Sequence, residues 1–223
     1  MSLESGRKLG LTASLIQVIM PVITVITIVF RAIFLGLSAT STGSNLTFPS
    51  FSLIYTGVLA LFGILTFIGI ILFVVAMHRL SQYYNEPGIF KNVLYGFILN
   101  VVGGIAVIAI YFVLILTGSI PRTGTALTGT TLTQFIVGFL AVVVIALVLG
   151  IISAVLYMRA FNMLAEKSGR GSFKTVGLLY LLGIVLTIVL IGPLLSWIAW
   201  IYAAIAFNSL KPKEPPPLLP PPP

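Results

Sequence analysis

The amino-acid sequence predicts an all-α protein, a polytopic transmembrane helix bundle with six membrane segments. Of its 223 residues, 59% are apolar or aromatic and only 7% are charged, whereas about a quarter of the residues of a soluble domain are charged. The charged residues are separated by uncharged runs of 22, 47, 30, 36 and 36 residues, and ~20 apolar residues suffice to cross a bilayer. The chain is therefore too poor in charge for a soluble fold and long enough for several crossings.

The first predicted segment covers residues 9–30 and follows a pair of basic residues. It exceeds the ~7–15 apolar residues of a secretory signal, so we interpret it as a retained membrane helix. Pro21 lies inside it, and proline removes a backbone donor, so we expect a kink near Gln17.

The second and third predicted segments cover residues 53–77 and 93–117, and the polar stretch 78–87 joins them. The fourth segment covers residues 131–158. Its first residues read Thr-Leu-Thr-Gln, in which threonine and glutamine three positions apart fit a capping box. We expect a basic loop at residues 159–174 to follow it.

The last uncharged stretch, residues 175–210, would form one helix of about 54 Å, much longer than the ~30 Å hydrocarbon core. Gly192-Pro193 near its middle interrupts helix, so we divide the stretch there. The two resulting segments are residues 176–191 and 194–210. We expect the turn between them at the outer headgroup level, with Trp197 just below it. A single kinked helix or a re-entrant hairpin stays open, and with it a total of five segments.

Positive charge predicts the orientation. With six segments, ten lysines and arginines fall on the side of the N-terminus and two, Arg31 and Arg122, on the other side. Because basic residues accumulate in cytoplasmic loops, we expect a cytoplasmic N-terminus in the cell (cytoplasmic) membrane. With five segments, eight lysines and arginines would lie on the side of the N-terminus and four on the other side, which predicts the same orientation. Asn45 begins an Asn-Leu-Thr triplet in a predicted outer loop and is a candidate glycosylation site, although such triplets also arise by chance.

The sequence divides into two regions of different composition. Residues 1–210 form the predicted transmembrane bundle, and residues 211–223 form a proline-rich tail that we expect to be cytoplasmic and extended. A solvated tail and a segment that binds a partner both fit this composition.

Two basic loops carry similar strings. Residues 77–93 and 158–176 each begin with methionine, contain arginine and end in Phe-Lys, a polar residue and valine. A duplicated helix hairpin would produce this similarity, and so would the shared composition of cytoplasmic loops. A weak internal hairpin repeat therefore stays open.

The same strings resemble a known family. Residues 83–96 read YYNEPGIFKNVLYG, residues 173–180 read FKTVGLLY, and residues 198–207 carry Ile-Ala-Trp before an alanine-rich run. They are similar to an archaeal family of membrane proteins of unknown function, domain-of-unknown-function group 996, over most of residues 9–210. The resemblance implies an archaeal cytoplasmic membrane and no assigned activity.

Composition also limits the chemistry. Without cysteine there is no disulfide, thiolate nucleophile or iron–sulfur cluster, and one histidine cannot form a His-paired metal or haem site within one chain. All four glutamates fall in predicted loops or tails, so we expect no carboxylate proton relay in the bilayer. The sequence therefore predicts no enzyme activity, no cofactor and no metal site. We expect no nucleic-acid binding either, because no soluble domain presents a basic face.

Five residues within the predicted segments are candidate functional positions. Gln17 and Asn100 are the candidate polar lining, because an amide in hydrocarbon must find a partner; hydrogen bonds between helices are the simpler explanation for them. Ala146, Gly150 and Ala154 recur every four residues and predict a helix-packing stripe, within the chain or against a second one.

These features predict a non-catalytic integral membrane protein, most simply an accessory or scaffold subunit that packs against other membrane proteins. The alternative is a passive carrier or channel for a small, weakly polar solute, with a sparse polar lining of Gln17, Thr24, Thr27, Asn100 and Thr187. The expected partners are membrane lipids and other membrane protein subunits, and a homo-oligomer stays open.

Overall fold

The computed structural model describes residues 2–40, 49–116 and 129–212, and within these ranges the chain forms helices and no strands. The helices are α1 (Leu3–Thr40), α2 (Pro49–Tyr83), α3 (Pro87–Leu116), α4 (Gly129–Ser168), α5 (Ser172–Val185) and α6 (Gly192–Asn208), with a 3₁₀ helix, Leu186–Val189, after α5. Five of them, counting α5 with its 3₁₀ extension, are long and apolar enough to cross a membrane, and α6 is an apolar helix of 17 residues. The predicted all-α bundle is confirmed, and the chain is a multi-pass membrane protein.

The helix ends extend further than predicted. Residues 159–168 continue α4, and only residues 169–171 separate it from α5, so the expected basic loop at residues 159–174 is wrong. Phe161 and Leu164 are buried there, which shows that apolar side chains at helical spacing keep this stretch helical beyond the last fully apolar turn.

The six helices form a ring in the order α2, α1, α6, α5, α4, α3, and each packs antiparallel on its neighbours. Glycines lie where the helices approach closely. Their contacts are Gly69 on Ile16 between α2 and α1, Gly10 on Phe207 between α1 and α6, Gly183 on Ser196 between α5 and α6, Gly177 on Met158 between α5 and α4, and Gly96 on Tyr157 between α4 and α3. Helices α2 and α3 meet near the short turn that joins them, where the rings of His78 and Phe90 are 4.4 Å apart.

The last two helices form an antiparallel hairpin. The ring centroids of Tyr180 and Trp200 are 6.3 Å apart and those of Phe173 and Phe207 are 5.3 Å apart, so α5 and α6 pair in opposite directions. The predicted division of the last uncharged stretch at its Gly-Pro pair is confirmed, and the alternative of one continuous kinked helix is wrong.

A tight turn joins the two arms of this hairpin. Leu190 adopts a left-handed conformation, with φ of 63°, and the Thr187 hydroxyl donates a 2.9 Å hydrogen bond to the Gly183 carbonyl. The α-carbon of Gly192 lies against the backbone of both Gly183 and Thr187, so the arms touch without intervening side chains.

The hairpin stops well before the far ends of its neighbours. Ile184, near its tip, lies 3.2 Å from where a β-carbon on Gly150 would stand, and α4 begins 21 residues before that glycine, about 32 Å along a helix. The Trp197 indole donates to the Val18 carbonyl, which precedes Arg31 by 13 residues, or about 20 Å. The hairpin therefore ends partway along α1 and α4, and the expected position of its turn and of Trp197 at the outer headgroup level stays a prediction.

One end of the ring carries the described cations, except Arg31, and much of the buried core; we call it the basic end. Its basic residues are Arg7, Lys8, Arg79, Lys91, Arg159, Lys167, Arg170, Lys174 and Lys211. Lys167 binds Glu86 at 3.1 Å, and the Arg7 guanidinium donates to the Leu210 carbonyl at 3.3 Å, which brings both described chain ends together. Toward the opposite end, Arg31 lies over the ring of Tyr55, 4.1 Å from its centroid.

Candidate functional site

A cavity of about 450 Å³ lies inside the ring, and all six helices contribute to its lining. Sixteen residues form the lining, and seven of these are aromatic: Phe67, Phe73, Phe97, Tyr157, Phe161, Tyr180 and Trp200. None of the sixteen carries a charge. The site is thus an apolar, aromatic-rich chamber within a membrane bundle.

Packed aromatic rings close the cavity toward the basic end. Phe73 is 2% exposed, and its ring lies edge-on to Trp200 at 5.3 Å and tilted against Phe161 at 5.8 Å. Phe207 packs behind Phe73 at 6.3 Å. Because such pairs stabilise one another beyond simple burial, this aromatic floor is a firm barrier between the cavity and the basic end.

The cavity is open on the side of α2 and α3. Phe67 and Phe97 still meet across these helices, with ring centroids 6.4 Å apart. Further from the basic end, Ile105 and Ile108 on the α3 rim are 62% and 69% exposed, and a β-carbon on Gly104 would meet nothing within 4 Å. We call this exposed rim, on the side where α2 and α3 make the weakest contact in the ring, the lateral window.

The structure brings the two predicted amides, Gln17 and Asn100, into this one lining. Each follows a lysine of the basic end by nine residues, Lys8 on α1 and Lys91 on α3, and nine helical residues span about 14 Å. The two amides therefore lie at the same distance from the basic end, and this distance is about half the thickness of a ~30 Å hydrocarbon core.

Gln17 is fixed by the backbone around it. Its side chain is 7% exposed, and Nε2 donates a 2.9 Å hydrogen bond to the Thr66 carbonyl on α2. Gly69 leaves room for this side chain, because a β-carbon there would stand 2.9 Å from Nε2. Pro21 lies inside the continuous helix α1 and has no N–H to pair with the Gln17 carbonyl.

Asn100 is the more accessible amide. It hydrogen-bonds the Tyr157 hydroxyl and is otherwise exposed on the cavity wall. An amide carries two donor hydrogens and an acceptor oxygen, so a single bond to Tyr157 leaves hydrogen-bonding capacity for another molecule. Asn100 is thus the polar group best placed to meet a ligand in this cavity.

The predicted small-residue stripe divides over three surroundings. Ala154 is fully buried, Gly150 faces Ile184 of α5, and Ala146 is exposed. The candidate glycosylation residue Asn45 lies outside the described residues, as does the tail after Pro212.

Sequence reasoning missed several residues of the site. Tyr157, Tyr180 and Trp200 line the cavity, and nothing in the sequence distinguished them from other interfacial aromatic residues. It also missed the Ser153 hydroxyl, which is buried and donates a 3.0 Å bond to the Gly96 carbonyl, fixing α4 on α3. Within the described ranges, no group of three or more His, Asp or Glu side chains could hold a metal ion.

Comparisons with known proteins cover most of the bundle. A family model described as a protein of unknown function, DUF996, matches residues 65–201, which include every lining residue except Gln17. An uncharacterized protein of Methanocaldococcus jannaschii is 28% identical over 148 residues, which is 66% of this chain and 80% of that protein. No solved structure matches the chain.

Proposed function

The chain belongs to the DUF996 family of proteins of unknown function, and we propose that it is a non-catalytic membrane protein that binds and carries a small, weakly polar molecule in its central cavity. The observation that supports this is the convergence of Gln17 and Asn100, 83 positions apart in sequence, on one apolar chamber. Ligand sites characteristically combine an apolar lining with a few convergent polar groups.

The size of the cavity fits this role. Ligand pockets measure ~300–1,000 Å³, and at ~30 Å³ for each non-hydrogen atom, as in liquid water, 450 Å³ holds on the order of 15 such atoms. The cavity therefore suits a compact molecule, or the leading part of a longer one.

Carriage fits better than conduction. The aromatic floor around Phe73 separates the cavity from the basic end, and the lining provides two amides rather than a continuous polar path. The lining also has no carboxylate, histidine or lysine among its described residues, so it offers no acid–base pair for catalysis.

Photolabelling tests the proposal directly. A small neutral trifluoromethylphenyl diazirine, added to the full chain in lipid nanodiscs, should label cavity residues such as Trp200 and Tyr180 in a saturable way. Gly104→Phe should suppress this labelling by filling the lateral window, whereas Gly63→Phe should not. Both glycines have open space around them, but only Gly104 lines the cavity, so the pair is matched. Labelling that never saturates and follows lipid exposure alone would contradict the proposal.

Charge supports a placement in the cell membrane with the basic end in the cytoplasm. Nine described lysines and arginines lie at that end, and only Arg31 among the described cations lies toward the other. Because basic residues accumulate on the cytoplasmic side, the N-terminus and Lys211 would both be cytoplasmic.

The second candidate is the role of an accessory subunit. The lateral window lies where α2 and α3 make the weakest helix contact in the ring. On α2, a β-carbon added to Gly57 or Gly63 would meet nothing within 4 Å. A helix of another membrane protein could pack there, since small residues allow close approach. Gentle purification from native membranes separates the two roles: a stoichiometric membrane partner favours the subunit, and a lone protein that keeps saturable labelling favours the carrier.

A further inference from the structure

We infer that the cavity takes a neutral lipid with a hydroxyl or carbonyl headgroup, which meets Asn100 while its apolar chain leaves through the lateral window. This inference rests on the proposed function and names the class of molecule that the site would select. Three features of the site support it: the depth of the amides, the chemistry of Asn100 and the direction in which the cavity opens.

The depth of the two amides disfavours a charged headgroup. Asn100 and Gln17 lie about 14 Å from the lysines of the basic end, near the middle of the bilayer, and no lining residue is charged. A phosphate or carboxylate headgroup would have to leave water without any opposite charge to meet it, which is costly in hydrocarbon. A neutral headgroup avoids this cost.

The chemistry of Asn100 selects for a hydrogen-bonding headgroup. Its amide keeps donor and acceptor capacity beyond its bond to Tyr157, and its surroundings are aromatic and aliphatic. Water molecules would have few other polar partners in such a chamber. A hydroxyl donates and accepts, and a carbonyl accepts, so either can pair with this amide, whereas a pure hydrocarbon leaves it unpaired.

The opening selects for a long apolar chain. The cavity leads sideways past Ile105 and Ile108, which are exposed on the rim, and the packed ring of Phe73 closes it toward the basic end. A volume for on the order of 15 non-hydrogen atoms accommodates a headgroup and a short stretch of chain. Any longer chain would extend through the window into the surrounding lipid, where its burial is already favourable.

Competition against the diazirine label tests the headgroup. Three molecules with the same isoprenoid chain would be compared on the full chain in nanodiscs: farnesol, the hydrocarbon farnesene and farnesyl phosphate. We expect farnesol to displace the label at a concentration up to about tenfold lower than farnesene, the factor that one net hydrogen bond provides, and farnesyl phosphate not to displace it.

Substitution of Asn100 provides a second test of the headgroup. Asn100→Leu should abolish the preference for farnesol over farnesene while both still displace the label. Asn208→Leu, at an exposed position of α6 outside the lining, should preserve the preference. The comparison of the three ligands on the unaltered protein stands even if N100L fails to fold.

The outcomes separate this inference from the proposed function. Saturable labelling with equal displacement by farnesol and farnesene would overturn the inference and leave the carrier proposal intact. Displacement by farnesyl phosphate as strong as by farnesol would also overturn it. If the label never saturates, the carrier proposal itself fails.

Discussion

The indole nitrogen of Trp197 donates a 2.9 Å hydrogen bond to the backbone carbonyl of Val18, which ties α6 to α1. The same two helices meet nearer the basic end, where Phe207 packs on the α-carbon of Gly10. The first and last helices therefore close the ring through both an indole hydrogen bond and the packing of an aromatic ring on a glycine.

Loss of the indole bond should weaken this closure. Trp197→Phe removes the donor and part of the ring, and we expect a free energy of unfolding lower by about 1 kcal/mol from the hydrogen bond, plus a packing loss. Thermal unfolding in detergent measures the change. Tyr202→Phe, on the same helix at a side chain that is 43% exposed, is the matched control and should behave like the unaltered chain. Equal melting of all three proteins would show that the bond contributes nothing.

Gly150 should be intolerant of a large side chain. A β-carbon there would already stand 3.2 Å from Ile184 of α5, so Gly150→Leu must push α4 and α5 apart, at a cost of about 1–3 kcal/mol. Gly57→Leu adds the same side chain where nothing lies within 4 Å and should leave the melting temperature unchanged. A stable Gly150→Leu variant with an unaltered assembly state would contradict this packing.

Even one methyl group should disturb the hairpin turn. A β-carbon on Gly192 would collide with backbone atoms of Gly183 and Thr187, which cannot rotate away as a flexible side chain can. We therefore expect Gly192→Ala to lower the melting temperature and to increase proteolysis at the turn. Gly104→Ala, at a position with open space, serves as the comparison. Similar stability of the two variants would mean that the arms of the hairpin lie further apart than described.

Cysteine labelling tests the orientation and the hairpin together, because the chain has no native cysteine. Gly171→Cys and Lys211→Cys are both exposed at the basic end and should react only with reagents that reach the cytoplasm. Ser44→Cys, in the predicted outer loop, should react from outside. Outside labelling of Lys211→Cys with Gly171→Cys protected would contradict the hairpin, and outside labelling of both would reverse the orientation.

The sequence predicted the helical segments and the division at Gly192-Pro193, because charge spacing and proline act locally. The shared depth of Gln17 and Asn100 could also be read from the sequence, since each follows a lysine of the basic end by nine positions. The sequence does not show which faces of the helices pack against one another. Lipid is as apolar as leucine, so a membrane helix shows little contrast between its packed and its lipid-facing sides.

The same lack of contrast explains the error at residues 159–168. Residues 159–168 read as a loop because they are basic, but Phe161 and Leu164 pack inward while the charges point away, and this arrangement appears only in three dimensions. The reach of the hairpin along α4 could not be predicted either, because it is marked by the contact between Gly150 and Ile184, two residues that no local pattern connects. The internal hairpin repeat stays a prediction.

Because α6 packs against α1, the order of synthesis matters for this fold. Domains generally begin to fold from the N-terminus while the chain is still being made, so α1 and α2 can pair early. The side of α1 that receives Trp197 and Phe207, however, has no partner until the final helix has entered the bilayer. A nascent chain interrupted after α5 would therefore hold an open chamber with Gln17 near an unsealed edge, exposed to whatever lipids or insertion factors surround it.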